Sequence, residues 1–176
     1  MGHREHRLQG PASVPCAVLT VSDTRDESTD TAGALIRRAL RRAGHPVVDY
    51  RILKDDPRRI VTHLKALAAA GRARVVLLTG GTGIATRDST FEAVSGLLDK
   101  RLDGFGEIFR ALSYRTIGSA AMLSRALAGT CRGMVLFSMP GSKDAVRLAM
   151  TRLILPELSH LAGLLEKKTR RVRHAR

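Results

Sequence analysis

The chain has 176 residues, 44% of them apolar, enough for one domain whose core needs no disulfide or metal to hold it. Its net charge of +14 suggests a polyanion partner, but residues 12–166 carry only +7, and with no Trp, two Tyr and four Phe there is no stacking platform for single strands, so nucleic-acid binding is set aside. Cys16 and Cys131 fit no ligand spacing and no apolar run approaches the ~20 residues of a membrane span, so a cytoplasmic protein with no membrane association is expected.

Residues 1–12 read as a flexible arm, 13–166 as one α/β domain and 167–176 as a basic, disordered tail. A first strand is expected at 14–21, ending in Ser22-Asp23-Thr24, then a helix at 31–43 with Leu35, Ile36, Ala39 and Leu40 on one face and Gly44 as its stop. A second strand spans 47–53. Asp56-Pro57 supplies a cap and a first-turn proline for a helix whose buried stripe is Ile60, Leu64, Leu67 and Ala68. A third strand at 74–79 follows Gly71. This alternation implies right-handed crossovers and a mostly parallel sheet covered on both faces, a three-layer α/β/α fold. Beyond it, helices are expected at 90–98, 105–112 and 116–123, the last two separated by Ser113-Tyr114-Arg115. A β-hairpin is expected around residues 129–133, and a helix at 143–155 with a kinked extension from Pro156 to Leu165.

Three strands end in polar or glycine-rich loops: Ser22-Asp23-Thr24, Thr79-Gly80-Gly81-Thr82-Gly83, and Ser138-Met139-Pro140-Gly141-Ser142. In an open parallel sheet these ends share one edge, where ligands bind. Glycine permits positive φ and brings backbone N–H groups close to an anion. The third glycine of a dinucleotide fingerprint is missing after Gly83, and no glycine loop ends in Gly-Lys-Ser/Thr, which excludes both common nucleotide motifs. Asp55 and Asp88 follow strand ends. From spacing alone capping is their simplest role; the other is holding a divalent cation against phosphate oxygens. His45, His63 and His160 read as surface residues, and Ser113 is the one aliphatic hydroxyl in a short connection between helices.

Thr79-Gly80-Gly81-Thr82-Gly83 with Arg87-Asp88 and Glu92-Ala93, then Gly104-Phe105-Gly106-Glu107, Ser124-Arg125-Ala126 and Met139-Pro140-Gly141-Ser142, closely resemble the MoaB/MogA molybdenum-cofactor biosynthesis family over residues 15–165. The resemblance implies the molybdopterin-binding domain fold and a homotrimer or homohexamer. It implies adenylylation of molybdopterin by ATP with Mg2+, releasing pyrophosphate, and a molybdenum-insertion protein as a partner downstream. The alternative is a non-catalytic molybdopterin carrier of the same pathway. Under the resemblance Asp55 and Asp88 are catalytic and hold the metal. Ser22, Asp23, Thr79, Gly80, Gly81, Thr82, Gly83, Ser113, Pro140, Gly141 and Ser142 bind molybdopterin or ATP. Asp56 adjoins Asp55, and which of the two faces a metal stays open from the sequence.

Overall fold

The computed structural model describes residues 10–86 and 88–173, with side chains as far as Leu165. Six strands form one sheet: β1 (Cys16–Val21), β2 (Val47–Leu53), β3 (Val75–Thr79), β4 (Lys100–Arg101), β5 (Leu127–Cys131) and β6 (Met134–Met139), in the order β2-β1-β3-β6-β5-β4. The first four in that order are parallel; β5 runs antiparallel to β6, and β4 to β5. The expected mostly parallel sheet with a hairpin is therefore present.

Strand alternation sends side chains to two cores. Val18, Leu77, Val135 and Phe137 face Ile36 and Leu40 of α1 (Thr31–Arg42), Phe109 of α4 (Asp103–Ile117) and the C-terminal helices. Leu19, Val76, Leu78 and Leu136 face Ile60 and Leu64 of α2 (Pro57–Ala70) and Val94 of α3 (Thr90–Ser95). Each fully buried Val, Leu or Ile contributes about 1.5–3 kcal/mol. Asp30 ties α1 to the sheet: it caps the helix through Gly33 N–H at 2.9 Å, and its other oxygen accepts from Thr20 at 2.6 Å and Tyr50 at 2.7 Å.

Several boundaries differ from expectation. The two short helices at 105–112 and 116–123 are instead the continuous α4 followed by a 3-10 turn (Gly118–Leu123), so Ser113 lies on a helix and is buried. The hairpin turn is only Arg132-Gly133, both at positive φ as a two-residue turn requires; Gly129 is inside β5, where a side chain would collide with the Lys100 carbonyl of β4. Strand β4 is two exposed charged residues with no apolar pattern to announce it. α3 stops at Ser95. α5 (Lys143–Ala149) passes through a π turn (Met150–Ile154) into α6 (Leu155–Arg173), the wider turn preceding Pro156, whose ring cannot continue the normal ladder.

By length and mean hydropathy, 1.2, the helical run Lys143–Leu165 reaches what a membrane span needs. Its Val146, Met150, Ile154, Leu158 and Ala162 are all in the core under the sheet. The backbone of α6 enters the segment 167–176 expected as a disordered tail; residues 174–176, like 1–9 of the expected arm, lie outside the described residues.

The histidines are not simply surface residues. His45 is buried and its Nδ1 accepts from Val14 N–H at 3.2 Å, while His63 and His160 pair with Asp49 and Glu157. Both cysteines are buried free thiols, Cys16 pushed up to about 12 by desolvation and therefore inert at neutral pH.

Candidate active site

The site forms where β3 and β6 end side by side. Gly80 N–H donates to the Met139 carbonyl at 3.1 Å, and the buried Thr79 hydroxyl donates to the Pro140 carbonyl at 3.1 Å. The two turns nearly touch: a Cβ on Gly141 would lie 3.3 Å from Gly80 Cα. Gly80 has φ +100°, and a side chain there would lie 2.2 Å from the Val21 carbonyl, so only glycine fits. Above these turns opens a cavity of about 840 Å³. Gly80, Gly81, Thr82 and Gly83 form one wall and Pro140, Gly141 and Ser142 another. Phe109, Ile117, Leu123 and Leu148 give it an apolar side, and Ser113, Thr116, Ser124, Arg147 and Arg152 its polar points.

Among the described residues the N–H groups of Gly81, Thr82, Gly83 and Ile84 donate to no protein acceptor. Four consecutive unpartnered donors at a strand end are the material from which an anion-binding nest is built. Asp88 lines the cavity beside Gly83, and its Oδ2 accepts from Ala85 N–H at 3.1 Å, so it ties the loop and does not cap α3. Asp55 stands against Gly81: a Cβ there would lie 2.5 Å from its Oδ2 and 2.2 Å from Thr90 Oγ1, a buried hydroxyl with no partner. Asp56 is occupied elsewhere, capping α2 through Arg58 and Arg59 N–H at 2.8 and 3.2 Å. The structure thus separates the adjacent aspartates and puts Asp55 next to the loop.

Each of Asp55 and Asp88 keeps one oxygen without a protein partner among the described residues, Oδ2 and Oδ1 respectively. With the orphaned Thr90 hydroxyl these are hard oxygen donors, few in number. That suits magnesium, which takes one or two carboxylates and keeps waters and phosphate oxygens. No group of three or more His, Cys, Asp or Glu suited to an all-protein metal cage occurs among the described residues.

Of the residues singled out from sequence, Gly80, Gly81, Thr82, Gly83, Asp88, Ser113, Pro140, Gly141 and Ser142 line the cavity. Asp55 lies behind Gly81, and Asp23 one step further back, its Oδ1 accepting from Asp55 N–H at 3.2 Å. Ser22 and Thr79 are not on the cavity wall: Ser22 Oγ accepts from Thr24 and Arg25 N–H within its own loop, and Thr79 is buried in the tie to Pro140. Arg87 lies outside the described residues.

The sequence reading assigned no role to Arg125, although it stands in a quoted motif. Its Nε donates to the Thr82 carbonyl at 3.1 Å, and Nη2 to the carbonyls of Gly83 and, at 3.2 Å, Asp88. Glu92 pairs with the same guanidinium, which holds the Glu92 carboxyl below its ordinary range. Arg147 and Arg152 also line the cavity; with Lys143 they are basic residues of one amphipathic helical run, and nothing in their spacing marks them off from a solvated face.

A family model described as a probable molybdopterin binding domain matches residues 17–160. A molybdenum cofactor biosynthesis protein B from Halalkalibacterium halodurans is 55% identical over 164 residues, 92% of this chain and 95% of the relative. One from Bacillus subtilis is 48% identical over 168 residues, 95% of this chain and 99% of the relative. A crystal structure of a molybdenum cofactor biosynthesis protein B superposes with a TM-score of 0.87 at 53% identity, covering 90% of this chain and 99% of that chain. The tungsten cofactor synthesizing protein MoaB from Pyrococcus furiosus gives 0.76 at 41% identity, covering 86% and 96%. The sheet order, the paired strand-end turns and these matches agree with the motif resemblance, and the chain belongs to the MoaB/MogA family of molybdopterin-binding domains.

Proposed function

We propose that this protein is a molybdopterin adenylyltransferase, joining AMP from ATP to molybdopterin and releasing pyrophosphate. One observation carries the reading: a row of unpartnered N–H groups and two carboxylates with free oxygens meet on one glycine loop beside a large, partly apolar cavity. Nucleotidyl transfer asks a protein chiefly for positioning and charge stabilisation. The nest at Gly81–Ile84 would bind phosphate oxygens, and the apolar wall from Phe109 to Leu148 would accept a flat ring. Asp55 and Asp88 would hold magnesium, which when bound neutralises charge on the phosphates. Asp55 is kept in register by Ser89 and Asp88 by Ala85 N–H, so neither carboxylate has to be ordered during the reaction.

The reading brings with it a homotrimer or homohexamer, a cytoplasmic location and a molybdenum-insertion protein as recipient of the product. Its test is pyrophosphate release by the purified chain. Release is expected only with ATP, Mg2+ and molybdopterin all present, and Asp88→Asn should lower turnover without changing the assembly. Stoichiometric pterin binding with no nucleotide consumed would replace the transferase by a carrier.

A further inference from the structure

We propose that Arg125 is a positioning residue that turns the glycine loop: it gathers the loop's carbonyl oxygens on one side, so that the N–H groups and Asp55 are set on the other. What those groups then bind rests on the adenylyltransferase reading; the clamp itself does not.

The argument starts from the peptide unit. In a trans peptide the C=O and the following N–H point in opposite directions, and no peptide bond among the described residues is cis. Arg125 takes the carbonyls of Thr82, Gly83 and Asp88. The N–H groups on the far sides of those three peptides belong to Gly83, Ile84 and Ser89. The last is observed at work, donating to Asp55 Oδ1 at 3.2 Å. The Asp88–Ser89 peptide is thus gripped from both sides, by Arg125 and by Asp55. The other two N–H groups are half of the unpartnered row.

Arg125 is itself held. Glu92 from α3 takes its Nη1, and the guanidinium lies 4.8 Å from the centre of the Phe91 ring. A planar guanidinium fixes its five donors on three nitrogens and so spans acceptors set apart from one another, here through Nε, Nη1 and Nη2; an ammonium carries its three donors on a single nitrogen and lacks that span. Loss of such an orienting group typically costs ten- to a hundredfold in affinity.

The test uses the full chain as wild type, Arg125→Ala, Arg125→Lys and Glu92→Gln. Amide hydrogen exchange without ligand is read at the hydrogen-bonded amides of the segment, Ala85, Asp88 and Ser89, and MgATP affinity by calorimetry. In Arg125→Ala, exchange in that segment is expected to rise about tenfold while β1 and α1 stay as in wild type, and MgATP affinity to fall at least tenfold. Added methylguanidinium should reverse both; Arg125→Lys should resemble Arg125→Ala, and Glu92→Gln should show the same changes in smaller degree. Exchange at Ala85, Asp88 and Ser89 unchanged in Arg125→Ala, or losses that methylguanidinium cannot reverse, would overturn the proposal. Should Arg125→Ala fail to fold, the Glu92→Gln exchange pattern decides, an unchanged segment overturning it. Absence of MgATP binding in wild type would remove the transferase reading and leave the exchange contrast to judge the clamp.

Discussion

Asp55 grips Ser89 twice, accepting at Oδ1 from its backbone N–H at 3.2 Å and from its hydroxyl at 2.8 Å. Ser89 occupies the N-cap position of α3 but makes no cap bond through its own side chain. A carboxylate 34 residues earlier therefore holds the N-cap residue itself, at the positive end of the helix. One step along the chain, Asp56 caps α2 in the ordinary way. The two aspartates look interchangeable in sequence and have different work in the fold.

That difference can be measured. Asp56→Ala removes a helix cap and should cost about 1 kcal/mol of stability with turnover retained. Asp55→Asn should keep the fold, since the amide oxygen can still accept from Ser89, and lower pyrophosphate release about a hundredfold. Denaturant melts beside turnover for the two variants check this. Equal turnover losses would remove Asp55's special place.

The strand-end loops were legible because a buried parallel strand is an apolar run and its exit is marked by glycines; Val75 to Gly83 shows both signals. The Arg125 clamp was not, because it joins groups 37 to 43 residues apart and the arginine itself sits in no periodic pattern. The sequence puts Ser113 in a connection, whereas Phe105, which packs on Phe137, Phe109 and Ser113 form one buried stripe at i, i+4 and i+8 that runs through it. His45 was read as exposed because a single imidazole after a glycine gives no sign of the Val14 N–H that it receives.

Two glycines with nearly the same backbone separate conformational cost from steric cost. Gly71 (φ +64°) ends α2 with open space around it, and Gly81 (φ +61°) has Thr90 and Asp55 where a side chain would go. Gly71→Ala should lose about 1–2 kcal/mol and no activity. Gly81→Ala bears the same backbone cost and must also displace the Asp55 carboxylate, so its turnover should fall by far more than its stability explains. Thermal melts and pyrophosphate release on both variants test the contrast; activity kept in Gly81→Ala would mean that Asp55 does not need its seat.

His45 sets an acid limit. Burial lowers its pKa from the ordinary 6.5, and neutral Nδ1 is needed to accept from Val14. Between the lowered folded value and 6.5 the unfolded chain binds more protons than the folded one, so stability rises with pH through that window. It is fully present above 6.5 and is lost progressively as pH falls below it. Melting temperature should drop from pH 6.5 downward in wild type and fall less steeply in His45→Gln; parallel slopes would assign the acid sensitivity to other groups.

Arg152 and Arg147 both line the cavity, but Arg147 pairs with Asp144 at 3.3 Å while Arg152 has no ion-pair partner among the described residues. An unpaired cation on the wall of a site for phosphorylated ligands adds attraction that is felt by substrate and transition state alike. Such uniform binding changes KM and leaves kcat untouched. Arg152→Ala should raise KM for the pterin about tenfold, as expected for one charge-assisted hydrogen bond of about 1.5 kcal/mol. Because Arg152 is exposed, the difference from wild type should shrink as salt rises from low to physiological concentration. Arg147→Ala, which also frees Asp144 to repel an anion, should be the more damaging of the two. A fall in kcat for Arg152→Ala with KM unchanged would move this arginine from binding to the reacting phosphates.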